Sequence, residues 1–266
     1  MDRNFLEWFV GFAEGDGSFI CTTNARAIFC LKQKEKRILQ RIRSQLGFGK
    51  VSTYGDYSRY TVADKVSVDR LISLFNGNLC LGKTHGRFSI WCHWANRTRE
   101  RPCTPRPRLL LSQEEVRKTS WLAGFIDAEG CFNAQQIQDP RYTLGYRVCL
   151  RFLLYQRGEQ TALLLVRDLL GGGSVAIRPE MQKDCAEKGY MWRLSTWSLR
   201  THAVLISYLQ SHPLRSKRRV DHKRFVSLYN YITTQRVMPW QGKVLSRVEN
   251  LLSKLSVVEG QEGANE

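Results

Sequence analysis

Two short stretches of the chain end an apolar segment with acidic residues set among glycines. They read WFVGFAEGDGSF (residues 8–19) and WLAGFIDAEGCF (residues 121–132), and their last acids are Asp16 and Glu129. Two carboxylates that lie close together repel each other unless a cation bridges them. Mg²⁺ suits such a pair, because it takes carboxylate, carbonyl and water oxygens and favours sites shared with phosphates. The two stretches therefore indicate a shared magnesium site.

The spacing of small residues predicts how these acids could meet. Gly11 and Gly15 are four positions apart in the first stretch, as are Gly124 and Ala128 in the second, so each pair lies on one helical face. Small residues at this spacing permit close helix packing. We expect the two helices to pack about a pseudo-twofold axis and to bring their last acids together. The earlier acids, Glu14 and Asp127, are expected to be structural.

Further matches show that the chain is a tandem duplication. Later blocks recur in the same order and pair Gln33 with Gln156, Gly47 with Gly171, Gly49 with Gly173, Leu71 with Leu205 and Lys83 with Lys217. A basic segment containing three prolines separates the copies and is expected to be extended. The predicted divisions are an N-terminal repeat (1–95), a linker (96–117), a C-terminal repeat (118–256) and an acidic disordered tail (257–266).

Charge and composition narrow the partners of the 266-residue chain. Lys and Arg total 41 against 24 for Asp and Glu, a formal charge of +17 that favours polyanions. Beside the acidic pair, this charge indicates hydrolysis of phosphodiesters by Mg²⁺. No apolar run is long enough to cross a membrane, and we expect neither a signal peptide nor an import leader. The eight cysteines form no C-x-x-C pair, which argues against structural zinc.

Residue patterns predict an α+β fold with the order helix, two strands, helix, two strands, helix in each copy. The first strand pair should turn near residues 24–25, and the second at Gly55-Asp56. Helices are predicted near 4–14, 35–46, 65–76, 118–128, 158–170, 199–211 and 241–255.

With these features in view, FVGFAEGDG and LAGFIDAEG resemble the two motifs of single-chain LAGLIDADG homing endonucleases, and the resemblance covers nearly the whole chain. It implies two pseudo-symmetric αββαββα subdomains packed through the motif helices, each with a curved antiparallel sheet, that together form a DNA-binding saddle. The implied activity is cleavage of both strands of a long asymmetric DNA site, across the minor groove, by a monomer that uses Mg²⁺, with Ca²⁺ or Mn²⁺ as substitutes. The implied metal ligands are the carboxylates of Asp16 and Glu129 and the carbonyls of Gly15 and Ala128. The resemblance assigns solvent positioning to Gln33 and Gln156, and stabilisation of the phosphate transition state to Lys83 and Lys217.

Strand alternation predicts which side chains face DNA. In the first copy they are Ser18, Ile20, Thr22, Asn24, Arg26, Cys30, Lys32, Lys34, Lys50, Ser52 and Arg59. In the second copy they are Cys131, Asn133, Gln135, Ile137, Arg151, Leu153, Tyr155, Arg157, Arg178, Arg193 and Ser195. A register error of one residue would exchange the two faces.

Several alternatives stay open at this point. The chain could be an RNA maturase that assists splicing of its host intron, or a DNA-binding regulator without activity. Gln33 could be an exposed strand residue and Lys217 a solvated surface charge, while Asp16 and Glu129 could serve as helix caps. The family is common in mitochondrial and chloroplast introns, so we expect an organelle-encoded protein.

Overall fold

The computed structural model describes residues 2–22, 26–97, 102–106, 112–178, 190–234 and 240–255. The first half comprises α1 (Arg3–Asp16), β1 (Gly17–Cys21), β2 (Ala27–Gln33), α2 (Lys36–Leu46), β3 (Lys50–Tyr54), β4 (Tyr57–Val62), α3 (Lys65–Phe75) and α4 (Gly82–Asn96). The second comprises α5 (Gln113–Lys118), α6 (Trp121–Glu129), β5 (Gly130–Gln138), β6 (Tyr146–Arg157), α7 (Gln160–Leu170), β7 (Ser174–Ile177), β8 (Met191–Thr196), α8 (Leu199–Ser211), α9 (Arg218–Thr234) and α10 (Gly242–Leu255). No described helix is long and apolar enough to cross a bilayer.

The two halves share one sheet topology. Each contains a four-stranded antiparallel sheet, in the order β1-β2-β4-β3 in the first and β5-β6-β8-β7 in the second. The predicted α+β class and the duplication are both confirmed by these matching sheets. The motif helices α1 and α6 lie against each other between the two halves, and one continuous hydrophobic core joins them.

Local signals explain where several helices begin and end. Helix α2 ends at Gly47 and α7 at the paired Gly171, both with a left-handed backbone that glycine adopts without steric cost. Helix α5 begins with a reciprocal capping box between Ser112 and Glu115. Aromatic rings fill the first half, where Phe29 and Phe75 meet at 5.3 Å between ring centroids.

The structure differs from the predicted elements at four helices. Helix α5 lies inside the segment expected to be an extended linker, because the capping box supplies a helix start there. The helix expected near 118–128 begins at Trp121. Helices α4 and α9 were absent from the predicted order, since two glycines in α4 and the mixed charged and polar residues of α9 blur the helical pattern. Asn24 and the tail 257–266 lie outside the described residues.

Candidate active site

The two motif helices cross at backbone contact. A methyl group built on Gly11 would overlap the carbonyl oxygen of Trp121, and one on Gly124 would overlap the carbonyl oxygen of Trp8. Further along the same face, a methyl group on Gly15 would lie 3.0 Å from Cγ of Glu129. The small-residue spacing therefore allows the close approach that it predicts, and at Gly11 and Gly124 only glycine fits, because the obstructing atoms belong to the opposite backbone.

Buried acids exchange hydrogen bonds across this crossing. The indole Nε1–H of Trp121 donates to Glu14 at 2.5 Å, and that of Trp8 donates to Asp127 at 2.8 Å. Both carboxyl groups are almost fully buried, at 3% and 4% exposure. Each repeat thus satisfies the buried acid of the other with a tryptophan.

The same two acids also hold the loop that precedes the lysine of their own repeat. Glu14 Oε1 accepts from the backbone N–H groups of Cys80 at 2.7 Å and Leu81 at 2.6 Å. Asp127 accepts from the N–H of Arg215 at 2.6 Å. Burial raises the pKa of Glu14 to about 7 and also raises the pKa of Asp127. These contacts support the structural role expected for both acids.

Asp16 and Glu129 end α1 and α6 in half-buried positions. They are close enough for the charge of Asp16 to act on Glu129, whose side chain lies against Gly15. Burial raises the pKa of Asp16 to about 7, although Arg218 and a hydrogen bond from Gln33 oppose the increase. Burial and then the charge of Asp16 raise the pKa of Glu129 to about 8. Gln33 Nε2 donates to Asp16 Oδ2 at 2.5 Å, so the structure brings this predicted pair together.

Arg218 is a site residue that the sequence analysis missed. Its guanidinium spans three carbonyl groups at the end of α6: Nε donates to Asp127 at 2.8 Å, Nη2 donates to Ala128 at 2.8 Å, and Nη1 donates to Gly130. The Ala128 carbonyl, an expected metal ligand, therefore has an arginine donor. The basic run that contains Arg218 gave no signal to single it out, because Lys217 beside it matched the family pattern.

The backbone of the lysine in each repeat is held by a glutamate of the opposite repeat. The backbone N–H of Lys83 donates to Glu159 at 2.5 Å, and the backbone N–H of Lys217 donates to Glu35 at 2.8 Å. Burial, then Arg87 and Arg157, lower the pKa of Lys83. The aliphatic Lys83 chain lies 3.9 Å from a methyl group built on Gly158, two residues after Gln156. The lysine of one repeat therefore lies beside the glutamine strand of the other.

A divalent cation fits this donor set. Among the described residues no cluster of three His, Cys, Asp or Glu side chains could hold a metal ion, so zinc-type coordination is unsupported there. Burial raises the pKa values of both carboxyl groups, and the charge of Asp16 further raises that of Glu129. Two such carboxylates leave most coordination positions to carbonyl, water and phosphate oxygens. Mg²⁺ accepts such an oxygen set.

Strand register puts the residues expected to face DNA on one face of each sheet. Residues that lie opposite each other in antiparallel strands share a face. In the first sheet Ser18 lies opposite Cys30, and Arg59 lies opposite both Lys32 and Ser52 on its two neighbouring strands. In the second sheet the opposed sets are Cys131, Leu153 and Ser195; Asn133 and Arg151; Gln135 and Cys149; Ile137 and Arg147; and Tyr155 and Arg193. Thr22 and Arg26 flank the β1–β2 turn and are hydrogen-bonded to each other, whereas Lys34, Lys50, Arg157 and Arg178 lie at strand ends.

Some of these side chains are covered despite lying on the expected face. Leu153 is 0% exposed, Asn133 2%, Cys30 6% and Ser195 9%, so they are too deep in the sheet to offer a base contact directly. Alternation defines the face of a residue, but longer neighbours on that face decide which residues reach solvent. The expectation of direct contact is therefore not supported at these four positions.

Aromatic rings beneath basic groups are a feature of both faces that alternation did not reveal. Lys32 Nζ lies 4.3 Å from the centre of the Tyr57 ring, and the Arg151 guanidinium lies 5.1 Å from that of Trp197. Such stacking holds a cation over an aromatic face while its charge stays available. Trp197 is nearly half exposed.

Sequence comparison identifies the family. The family model described as LAGLIDADG endonuclease matches residues 9–95 and 122–229, two ranges that begin at FVGFAEGDG and at LAGFIDAEG. The chain belongs to the LAGLIDADG endonuclease family. Its crossed motif helices carry the two LAGLIDADG motifs, and its two sheets are the paired LAGLIDADG subdomains.

Individual relatives agree with this assignment. A probable intron-encoded endonuclease 4 of Neurospora crassa is 29% identical over 233 residues, which cover 86% of this LAGLIDADG chain and 40% of that protein. The intron-encoded RNA maturase bI4 of Saccharomyces cerevisiae is 28% identical over 133 residues, 48% of this chain and 19% of the maturase. The chain thus spans well under half of each of these two relatives.

A solved structure matches the fold along nearly the whole chain. The I-LtrWI LAGLIDADG homing endonuclease, solved bound to target DNA, superposes with a TM-score of 0.73 at 18% identity. The match covers 96% of this chain and 99% of that one. Two LAGLIDADG subdomains packed through their motif helices are therefore the fold of this protein, as the sequence predicted.

Proposed function

We propose that this LAGLIDADG protein is a site-specific endonuclease that cuts both strands of double-stranded DNA and uses a divalent cation, which we propose to be Mg²⁺. One observation carries the proposal: Asp16 and Glu129, from separate repeats, meet at the ends of two crossed helices in a strongly basic chain. Membership of an endonuclease family supports it.

The proposed mechanism assigns a task to each polar group. Asp16 and Glu129 would hold the cation, with the carbonyl of Gly15 as a further ligand, and both acids would have to be ionised to do so. When bound, Mg²⁺ would activate water and neutralise charge on the scissile phosphates. Gln33, bonded to Asp16, orients solvent, and Gln156 has the same task in the second repeat.

Lys83 and Lys217 stabilise the phosphate charge that develops during cleavage. Each lysine acts with the glutamine of the other repeat, because its backbone is held by a glutamate that follows that glutamine strand. Every cut would then need groups from both repeats.

The two sheet faces bind the DNA duplex on either side of the cut. Lys32, Arg59 and Arg151 provide phosphate or base contacts, and the chemical difference between the faces favours an asymmetric site. Binding should weaken steeply with salt, as for any contact that releases several counterions. The protein would act as a monomer with the repeat boundaries given above, within an organelle whose intron encodes it.

The deciding experiment incubates the protein with DNA of intron-lacking host alleles, in Mg²⁺ and then with EDTA. We expect a double-strand cut at the intron insertion junction that EDTA prevents. Absence of cleavage at every candidate junction, together with Mg²⁺-independent binding to intron RNA, would refute the proposal.

A second candidate is an intron RNA maturase, favoured by the similarity to bI4. It predicts RNA binding that survives Glu129→Gln, because the acids are not used. Comparing that variant in a cleavage assay and in an intron-splicing assay separates the two functions.

A further inference from the structure

The two halves of the acidic site differ at one pair of equivalent positions. Because Lys83 pairs with Lys217, Thr84 in the first repeat corresponds to Arg218 in the second. The Thr84 hydroxyl donates to the carbonyl of Glu14 at 3.4 Å, and Arg218 Nε donates to the equivalent carbonyl of Asp127 at 2.8 Å. The same backbone position is thus met by a neutral hydroxyl in one half and by a cation in the other.

Arg218 does more than its counterpart, because its guanidinium continues to the carbonyls of Ala128 and Gly130. Its charge also acts on both carboxylates, Asp16 and Glu129. A planar guanidinium with five fixed donors suits three convergent carbonyls, which a lysine could not bind in the same way. The second half therefore already holds a positive charge where the first half has none at the matching position.

We propose that Arg218 is a resident cation that makes the two halves of the site unequal, by competing with a divalent cation on the Ala128 side. This inference rests on the proposed function. Its consequence is weaker divalent binding on that side than on the Gly15 side, so the two DNA strands are cut at unequal rates. Thr84 leaves its own side open to the divalent cation.

The competing explanation is that Arg218 only caps α6. Basic residues near helix C-termini bond the last carbonyls and interact favourably with the helix dipole. The two explanations depend on different properties of Arg218: competition depends on its charge, whereas capping depends on the hydrogen bonds of its forked guanidinium. Arg218→Lys keeps the charge and loses the fork, and Arg218→Thr copies Thr84 and loses both.

The test measures Mn²⁺ binding to the full chain without DNA, at pH 8.5, by the loss of the free-ion EPR signal. We expect Arg218→Thr to bind Mn²⁺ roughly tenfold more tightly, as removal of a like charge a few ångströms away implies, and Arg218→Lys to stay within about twofold of wild type. Thermal melting checks that each variant is folded. Thr84→Arg, on the open side, should weaken Mn²⁺ binding and serves as the converse variant.

Equal Mn²⁺ affinity in wild type and Arg218→Thr, including no measurable binding to either, would overturn the inference. Arg218→Lys behaving like Arg218→Thr would also overturn it, in favour of capping. On plasmid DNA carrying the target, the nicked intermediate should accumulate less with Arg218→Thr. Because Mn²⁺ binding is measured without cleavage, failure of the endonuclease proposal would be recognised separately.

Discussion

Glu159 Oε1 accepts a hydrogen bond from the backbone N–H of Lys83 at 2.5 Å, although the two residues belong to different repeats. Glu35 does the same for Lys217 at 2.8 Å. Both glutamates occupy the position before a helix, α2 or α7, yet neither side chain caps its own helix. Each instead positions the lysine of the opposite repeat.

Replacing Glu159 by Ala should slow cleavage while sparing DNA binding. Loss of a charged hydrogen-bond acceptor frees the Lys83 backbone. We expect about a tenfold lower single-turnover rate at saturating DNA, because a hydrogen bond to a charged group contributes about 1.5–3 kcal/mol. Glu159→Gln keeps the acceptor oxygen and should recover most of the rate. Glu114→Ala, a glutamate in an exposed ion pair with Lys118, is the matched control and should match wild type. An equal loss in the Gln variant would contradict a positioning role.

Asp16→Asn and Glu129→Gln should each abolish detectable cleavage and leave the DNA dissociation constant within about threefold of wild type. Each change removes a carboxylate that we propose binds the cation and preserves the shape of the side chain. Gel-shift titration and a cleavage assay on the same target give both readouts. Cleavage retained by either variant would show that its acid is not a metal ligand.

Without divalent cations, the stability of the protein should fall as pH rises from 7 to 9. The folded-state pKa values of Asp16 (about 7) and Glu129 (about 8) are raised, so the folded chain binds protons that the unfolded chain has released. The stability that a raised carboxyl pKa contributes is present at low pH, and it is lost as the pH rises through the pKa of the folded state. His202 and His222, whose pKa values burial lowers to about 4, are neutral in both states over most of this range.

Melting temperatures in EDTA at pH 7 and pH 9 test this prediction. The Asp16→Asn/Glu129→Gln double variant should show a smaller decrease than wild type. Adding Mg²⁺ should raise the melting temperature more at pH 9 than at pH 7, because metal binding requires ionised ligands. A wild-type decrease no larger than that of the double variant would show that the two acids titrate normally.

Gly11→Ala and Gly124→Ala should each destabilise the protein by about 3 kcal/mol or more, since overpacking against backbone leaves no side chain that can move aside. Gly86→Ala is the matched control, because a methyl group built at this helical glycine meets nothing within 4 Å. It should stabilise α4 by about 0.5–1 kcal/mol. Urea unfolding of the three variants measures the free energies, and equal effects at all three positions would contradict backbone contact between the helices.

The sequence predicted the parts of the site that depend on local spacing and on the duplication. Gly11, Gly15 and the two last acids are a short-range pattern that occurs twice, so the meeting of Asp16 with Glu129 followed from it. Gln33 was also identified, because it lies in a block that recurs in both repeats and resembles the family pattern, and its amide donates to Asp16. Both results come from residues whose neighbours along the chain define their position.

The missed features depend on contacts between distant segments. Lys217 and Glu35 are 182 residues apart, and Arg218 reaches carbonyls about 90 residues earlier in the chain. No periodicity links such residues before the repeats are packed. The burial of Leu153 and Asn133 was unpredictable for a related reason, since solvent access depends on the length of neighbouring side chains on the same sheet face.

The reciprocal tryptophan bonds, Trp8 to Asp127 and Trp121 to Glu14, affect how hybrid proteins could be assembled from this chain and its relatives. A graft that exchanges only the strands leaves both buried acids with their indole partners. A graft that replaces only one motif helix leaves a buried acid without its indole donor, which costs several kcal/mol. Helices α1 and α6 should therefore be exchanged together, whereas the sheets can vary independently of them.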